Sequence, residues 1–195
     1  TAVPTVAPTV APTATSVPPT APPPPPTAIP TARPAPTNPP AAGGFAGNQA
    51  QLLRGHSELI ESVAFSPSGG LLASGSDDNT ARLWRSDGST VATLTGHTAD
   101  VNSVAWSPDG NLLASASGDQ TIRIWRSNGA FVRSLTGHTD VVLAVVWQSR
   151  DSSTLISGSW DGTVRSWDAT GGRAIRTIGQ HTGKVWCLAF YGENR

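Results

Sequence analysis

One dipeptide, repeated at a fixed interval, constrains this chain more than any other feature. Gly55-His56, Gly96-His97 and Gly137-His138 recur every 41 residues, and Gln180-His181 follows 43 residues later. A fixed period of this length marks stacked repeats, each a supersecondary unit that cannot bury its apolar face alone. Nine residues after each histidine stands an aromatic: Phe65, Trp106, Trp147 and Phe190. Three later segments also align, SGSDDNTARLW (74–84), SASGDQTIRIW (115–125) and SGSWDGTVRSW (157–167). Small insertions, one near 149–153, account for the longer last interval.

Within each unit the apolar residues alternate over short runs, which is the strand signature. SVAF and SVAW lead into Ser-Pro-Ser-Gly-Gly (66–70) and Ser-Pro-Asp-Gly (107–110). These are good turns, because proline pre-sets φ and glycine accepts positive φ. LLASGS and LLASAS supply a second strand, and TARLW, TIRIW or TVRSW a third. A fourth, TVATL, FVRSL or RAIRTI, follows the turns at 86–88, 127–129 and 169–172. Four strands joined by tight turns describe one antiparallel sheet per repeat, and nothing in the pattern indicates a helix. The fold class is all-β.

Composition separates the repeats from what precedes them. Fifteen of the 17 prolines fall before Ala41, together with a single charged residue, Arg33. Proline fixes φ and lacks an N–H, so neither helix nor sheet propagates through such a stretch. Residues 1–44 read as a disordered Pro/Thr/Ala-rich linker, with a Gly-rich hinge at 41–48. A polyproline-II segment of that length reaches on the order of 100 Å when extended. It suits a stiff spacer, and the alternative is a ligand for proline-binding modules. Alternating Thr and Pro also fits a stalk outside the cytoplasm, so an extracytoplasmic or cell-surface location is expected. The chain begins with Thr and breaks off within a repeat, and it reads as a fragment of a longer polypeptide.

Thirteen Lys and Arg balance 13 Asp and Glu, with no run of like charge. That lacks the clustered cations that phosphate neutralisation requires, so nucleic acid is not an expected partner. No apolar stretch approaches the length that spans a bilayer, and membrane insertion is not expected. Cys187 is the only cysteine and forms no intrachain disulfide.

The Gly-His pair, the Ser-Pro-Asp-Gly-like turn and the run S-x-x-x-D-x-T-x-R-x-W resemble the WD-repeat (WD40-type) family. The resemblance spans residue 51 to about 190. It implies a partial β-propeller within 45–195, with complete four-stranded blades at about 59–94, 100–135 and 141–178. Residues 51–54 would be an outer strand, and 184–190 the innermost strand of a fourth blade. The Trp-Asp pair that names the family stands only at Trp167-Asp168, the first two repeats having Trp84-Arg85 and Trp125-Arg126.

The resemblance also implies a structural network in each blade. Its members are His56, Ser74, Asp78 and Trp84; His97, Ser115, Asp119 and Trp125; and His138, Ser157, Asp161 and Trp167. A Ser-His-Asp grouping can serve hydrolysis, but a catalytic site is made once and this set is made three times. A buried aspartate needs hydrogen bonds, and an imidazole N–H with backbone donors supplies them. No catalytic residue is assigned, and no cofactor or metal is expected. Histidines in separate blades cannot meet on one ion, and no phosphate-binding Gly loop precedes a helix.

Partner binding in the family concentrates near the start of the innermost strand and just before the turn aspartate. Those positions are Glu61, Asn102, Leu143 and Trp186, with Asp77, Gly118 and Trp160. Leu143, Trp160 and Trp186 depart from the small or polar pattern and form a candidate protein-binding hot spot. Trp160 packed on its own neighbours, or Trp186 covered by further chain, is the alternative. Three blades leave two apolar faces open, so beside protein partners the expectation is either self-association or completion by further chain of the longer polypeptide. The function expected is a non-catalytic interaction scaffold or sensor module, resembling bacterial membrane-signalling proteins. The alternative is a structural unit of an extracellular assembly or filament.

Overall fold

The computed structural model describes residues 52–85, 87–148 and 152–189. The expected linker and hinge, Gln51 and Phe190 lie outside the described residues, as does most of the expected insertion near 149–153. Twelve strands form three four-stranded antiparallel sheets, each a meander in chain order. The first blade holds β1 (Ile60–Phe65), β2 (Leu71–Ser76), β3 (Ala81–Arg85) and β4 (Thr90–Leu94). The second holds β5 (Val101–Trp106), β6 (Leu112–Ser117), β7 (Ile122–Arg126) and β8 (Phe131–Leu135). The third holds β9 (Val142–Trp147), β10 (Thr154–Ser159), β11 (Thr163–Asp168) and β12 (Arg173–Gln180).

The β2–β3 hairpin of each blade, and its equivalents, closes on one left-handed residue. Asn79 (φ 66°), Gln120 (φ 71°) and Gly162 (φ 79°) occupy it. Only glycine takes that conformation without steric cost, and asparagine is the next most tolerant. The aspartate just before it, with the following threonine, fastens the turn from the side.

The apolar core lies between blades. Ala73, Ala81, Leu83 and Leu94 of the first blade bury against Val101, Val104, Trp106 and Leu113 of the second. Ala114, Ile122, Ile124 and Leu135 meet Val142, Val145, Trp147 and Leu155 in the same way. Hydrogen bonds cross both seams. Trp106 Nε1 donates to the Ala64 carbonyl at 3.1 Å, and Trp147 Nε1 to that of Ala105 at 2.9 Å. The hydroxyls of Ser62 and Ser103 accept the amides of Val104 and Val145. The second blade is thus one half of two interfaces.

Two expected strands are not formed. Residues 52–54 and 184–189 pair with no sheet among the described residues, because a strand exists only where a neighbour completes its ladder. The 184–189 segment still docks as an innermost strand does. Val185 N donates to Ser159 O and His181 N to Gly162 O. Val185 lies so close to Gly158 that a Cβ there would come within 2.6 Å of its Cγ1. Val101 approaches Gly75 likewise, at 2.8 Å. Small residues at these sites admit the next blade.

Candidate functional site

The four members of each repeated set meet within one blade. In the second, His97 Nδ1 lies 2.8 Å from Asp119 Oδ2, and its Nε2 lies 2.8 Å from Ser115 Oγ. Trp125 Nε1 donates to the same hydroxyl at 2.8 Å. The first blade repeats this through His56, Asp78, Ser74 and Trp84 at 2.8–2.9 Å. The third does so through His138, Asp161, Ser157 and Trp167 at 2.6–2.7 Å.

A neutral imidazole with its proton on Nδ1 satisfies every member. Nδ1–H donates to the carboxylate, the serine hydroxyl donates to Nε2, and the indole N–H donates to the serine. The second carboxylate oxygen accepts the hydroxyl of Thr80, Thr121 or Thr163 at 2.6–2.7 Å. The amides of Ser57, Thr98 and Thr139 also donate to the aspartates at 3.1 Å. The threonines are additional members of the network, and their signal was the invariant spacing of D-x-T in all three repeats.

The electrostatics follow from these bonds. Burial pushes the Asp78 carboxyl up, but the Thr80 hydroxyl, His56 and the Ser57 and Thr80 amides outweigh it and hold it at about 2. Burial opposes the same outcome at Asp119 and Asp161, where His97 with Thr121, and Thr163 with His138, hold the carboxyls far below the usual range. Burial lowers His138, against the pull of Asp161. The serine hydroxyls are sealed inside the blades, each with its proton committed to histidine and a lone pair to tryptophan. His181 stands apart. It is exposed, and its ring makes no hydrogen bond among the described residues.

The candidate binding positions share a backbone feature that the sequence did not reveal. Register shifts fall between Ile60 and Ser62, between Val101 and Ser103, and opposite Gly158/Ser159. Glu61, Asn102 and Leu143 are therefore the unpaired residues of β-bulges, where a strand re-aims a side chain. Glu61 is exposed and Leu143 half-buried. Asn102 instead donates its amide to the Val142 carbonyl at 3.2 Å, which ties the second blade to the third. Asp77, Gly118 and Trp160 are anchored by their amides to the carbonyls of Leu59, Asp100 and Val141. Burial, with Glu61 and Asp100 adding to it, pushes the Asp77 carboxyl up.

Trp160 and Trp186 come together. Their rings meet edge to face at 5.4 Å between centroids. Lys184 Nζ lies 3.4 Å from the Trp160 ring centroid, a close cation–π contact. Trp186 is 65% exposed, while Trp160 is half-buried, with a buried Nε1 that has no acceptor. Trp160 packing on neighbours and the two tryptophans clustering thus describe one arrangement. Lys184 was not singled out in the sequence, since nothing local signals its partner 24 positions earlier.

Blades of four meandering strands, packed face to face and each closed by a His–Ser–Asp–Trp network, define a propeller-type repeat protein. The family model described as WD domain, G-beta repeat matches residues 47–85, 88–126 and 129–168, more than half of the chain. The chain belongs to the WD40 repeat family.

Curated relatives include ribosome biogenesis protein BOP1 of Rattus norvegicus, 58% identical over 36 residues, and bop1 of Danio rerio, 52% over 40. These matches cover 18% and 20% of this chain and only 5% of each relative. Among solved structures, U3-55K and the WD40 repeats of RRP9 each align with a TM-score of 0.67 and 26% identity. Each alignment covers 70% of this chain, and 44% and 43% of the two structures respectively. The extracytoplasmic expectation is corrected here. The curated relatives are vertebrate proteins named for ribosome biogenesis, a process inside cells, and they point away from a cell surface. Alternating threonine and proline is a feature of composition, and composition carries no address.

Proposed function

We propose that this chain is a non-catalytic protein-interaction module that binds through the rim where its repeats diverge, at Leu143, Trp160 and Trp186, with Glu61 and Asn102 on the neighbouring bulges. The observation that carries the reading is the Trp160–Trp186 pair, edge to face and largely open on one side. Exposed aromatic clusters on a rigid scaffold are the usual anchors of protein interfaces. A binding rather than catalytic role rests on the repeated network. Its serines are enclosed and hydrogen-bonded in all three blades, so none of the three is presented to solvent as a nucleophile. Protein rather than nucleic acid is the proposed partner, supported by the balanced charge.

The relatives' names raise assembly with other components as a theme, and the shared region is too short a part of them to carry more. Trp160→Ala and Trp186→Ala are expected to weaken partner binding while the thermal melt stays close to wild type. Unchanged affinity in both variants sinks the reading.

A second reading is that the blades are building units of a larger assembly. It is favoured by the open face of the first blade, with Ile60, Val63 and Phe65 exposed. The third blade carries a cleft of about 500 Å³ lined by Gln148, Ile156, Ser166, Ile175 and Ile178. Of these, Ile156 and Ser166 are the repeat equivalents of Ala73 and Leu83, and of Ala114 and Ile124, which cluster with Trp106 and Trp147 at the two seams. Light scattering tests this, since a chain that stays monomeric at high concentration does not self-assemble through these faces.

A further inference from the structure

We infer that the Trp160–Trp186–Lys184 cluster recognises an acidic peptide: a carboxylate side chain bound by Lys184, next to an aromatic or aliphatic side chain laid on Trp186. The inference rests on the protein-binding reading above and gives that surface a chemistry.

Three observations converge on it. First, the cluster offers donors and no acceptor. The Lys184 ammonium sits over Trp160 and has no carboxylate within ion-pair distance among the described residues. The N–H groups that point away from the Trp160 ring are therefore open to an incoming acceptor. Second, the Trp160 indole N–H is buried without a partner. That N–H is closed to solvent, so an acceptor approaching the cluster meets the Lys184 ammonium and not the indole. Third, the flat apolar surface beside these donors is Trp186, the most exposed tryptophan of the chain's described residues. An aromatic face next to a single exposed cation without a carboxylate partner favours a ligand that pairs charge and apolar contact in adjacent side chains.

The ammonium also decides against the opposite chemistry. A cationic peptide would seek the Trp160 face, but Lys184 already covers it at 3.4 Å, and the like charge repels a second cation. The equivalent positions elsewhere show that this is not a general property of the repeat. Lys184 corresponds to Leu59, Asp100 and Val141, and Trp186 to Glu61, Asn102 and Leu143. No other blade pairs an aromatic with a cation here.

A random peptide library displayed on phage, panned against the whole chain and counter-selected on Lys184→Ala, tests the inference. The enriched peptides are expected to carry Asp or Glu beside an aromatic or aliphatic residue. Their affinity is expected to fall about tenfold or more in Lys184→Ala, to fall as salt is raised, and to be retained in part by Lys184→Arg. Lys184 is exposed, so folding survives its removal, and a thermal melt of each variant checks this. Enrichment of basic peptides that still need Trp186 overturns the acidic chemistry and leaves the binding surface standing. Peptides indifferent to Trp160→Ala and Trp186→Ala overturn the surface itself. No enrichment at all overturns both.

Discussion

The first and second blades are built alike and live differently. Their innermost strands, IESVAF and VNSVAW, share a bulge, a serine and an alternating apolar face. Yet Val63 is 61% exposed and Phe65 73%, while Val104 and Trp106 fall to 5% and 8%. The difference is the neighbour: β5 lies against the first blade and β1 has no described blade on its outer side. Trp84, by contrast, is as buried as Trp125, and each is hydrogen-bonded to the serine of its own blade. The polar network is a property of a blade, and the apolar core is a property of a pair.

The strongest way to break this comparison is to truncate the same position twice. Trp106→Ala removes a buried ring and its bond to Ala64 O, and is expected to cost about 3–5 kcal/mol in a denaturant melt. Phe65→Ala, at the repeat-equivalent site, is expected to cost less than about 1 kcal/mol. Equal losses would mean that the first blade's face is covered in solution.

The network predicts the reverse pattern. Asp78→Ala and Asp119→Ala each strand a histidine N–H and a threonine hydroxyl, at about 1–3 kcal/mol. The two losses are expected to match, since the bonds match to within about 0.1 Å. A much smaller loss at Asp78 would show that the network, too, depends on the neighbour.

Acid sharpens the same point without mutation. Burial lowers His138 below its ordinary 6.5, so the unfolded chain takes up that proton first and stability declines as pH falls below about 6.5. The aspartates are held below 3.8, with Asp78 at about 2. The stability they add is present above about 4 and is lost as pH falls toward 2. Melting temperatures across this range are expected to fall in two stages, and a flat profile down to pH 4 would remove the His138 contribution.

The smallest expected effect is at the turn. Gln120→Gly relieves a left-handed glutamine and is expected to stabilise by up to about 1 kcal/mol. Asn79→Gly gains less, because asparagine tolerates that conformation.

Much of this was legible in the sequence, for identifiable reasons. Period-2 alternation and Gly/Pro turns place every strand of the three blades, and an offset of 41 or 42 residues assigns one His, Ser, Asp and Trp to each blade. What stayed hidden depends on register or on contacts between units. A bulge leaves no local mark, so Glu61, Asn102 and Leu143 stood out only as positions the family resemblance marks for binding, and not as bulged residues. The role of Asn102 at the seam, and the meeting of Trp160 with Trp186 and Lys184, arise only once one blade lies against the next. The strands expected at 51–54 and 184–190 failed within their described residues for a related reason: composition can propose a strand, and only a partner makes one.

Residue-resolved amide hydrogen exchange, at a concentration where the chain is monomeric, tests the central claim most directly. The account predicts the slowest exchange in β5–β7 of the second blade, which is covered on both faces, and markedly faster exchange in β1. Equal protection of β1 and β5 would contradict it, because a blade would then owe its stability to itself and not to the blades beside it.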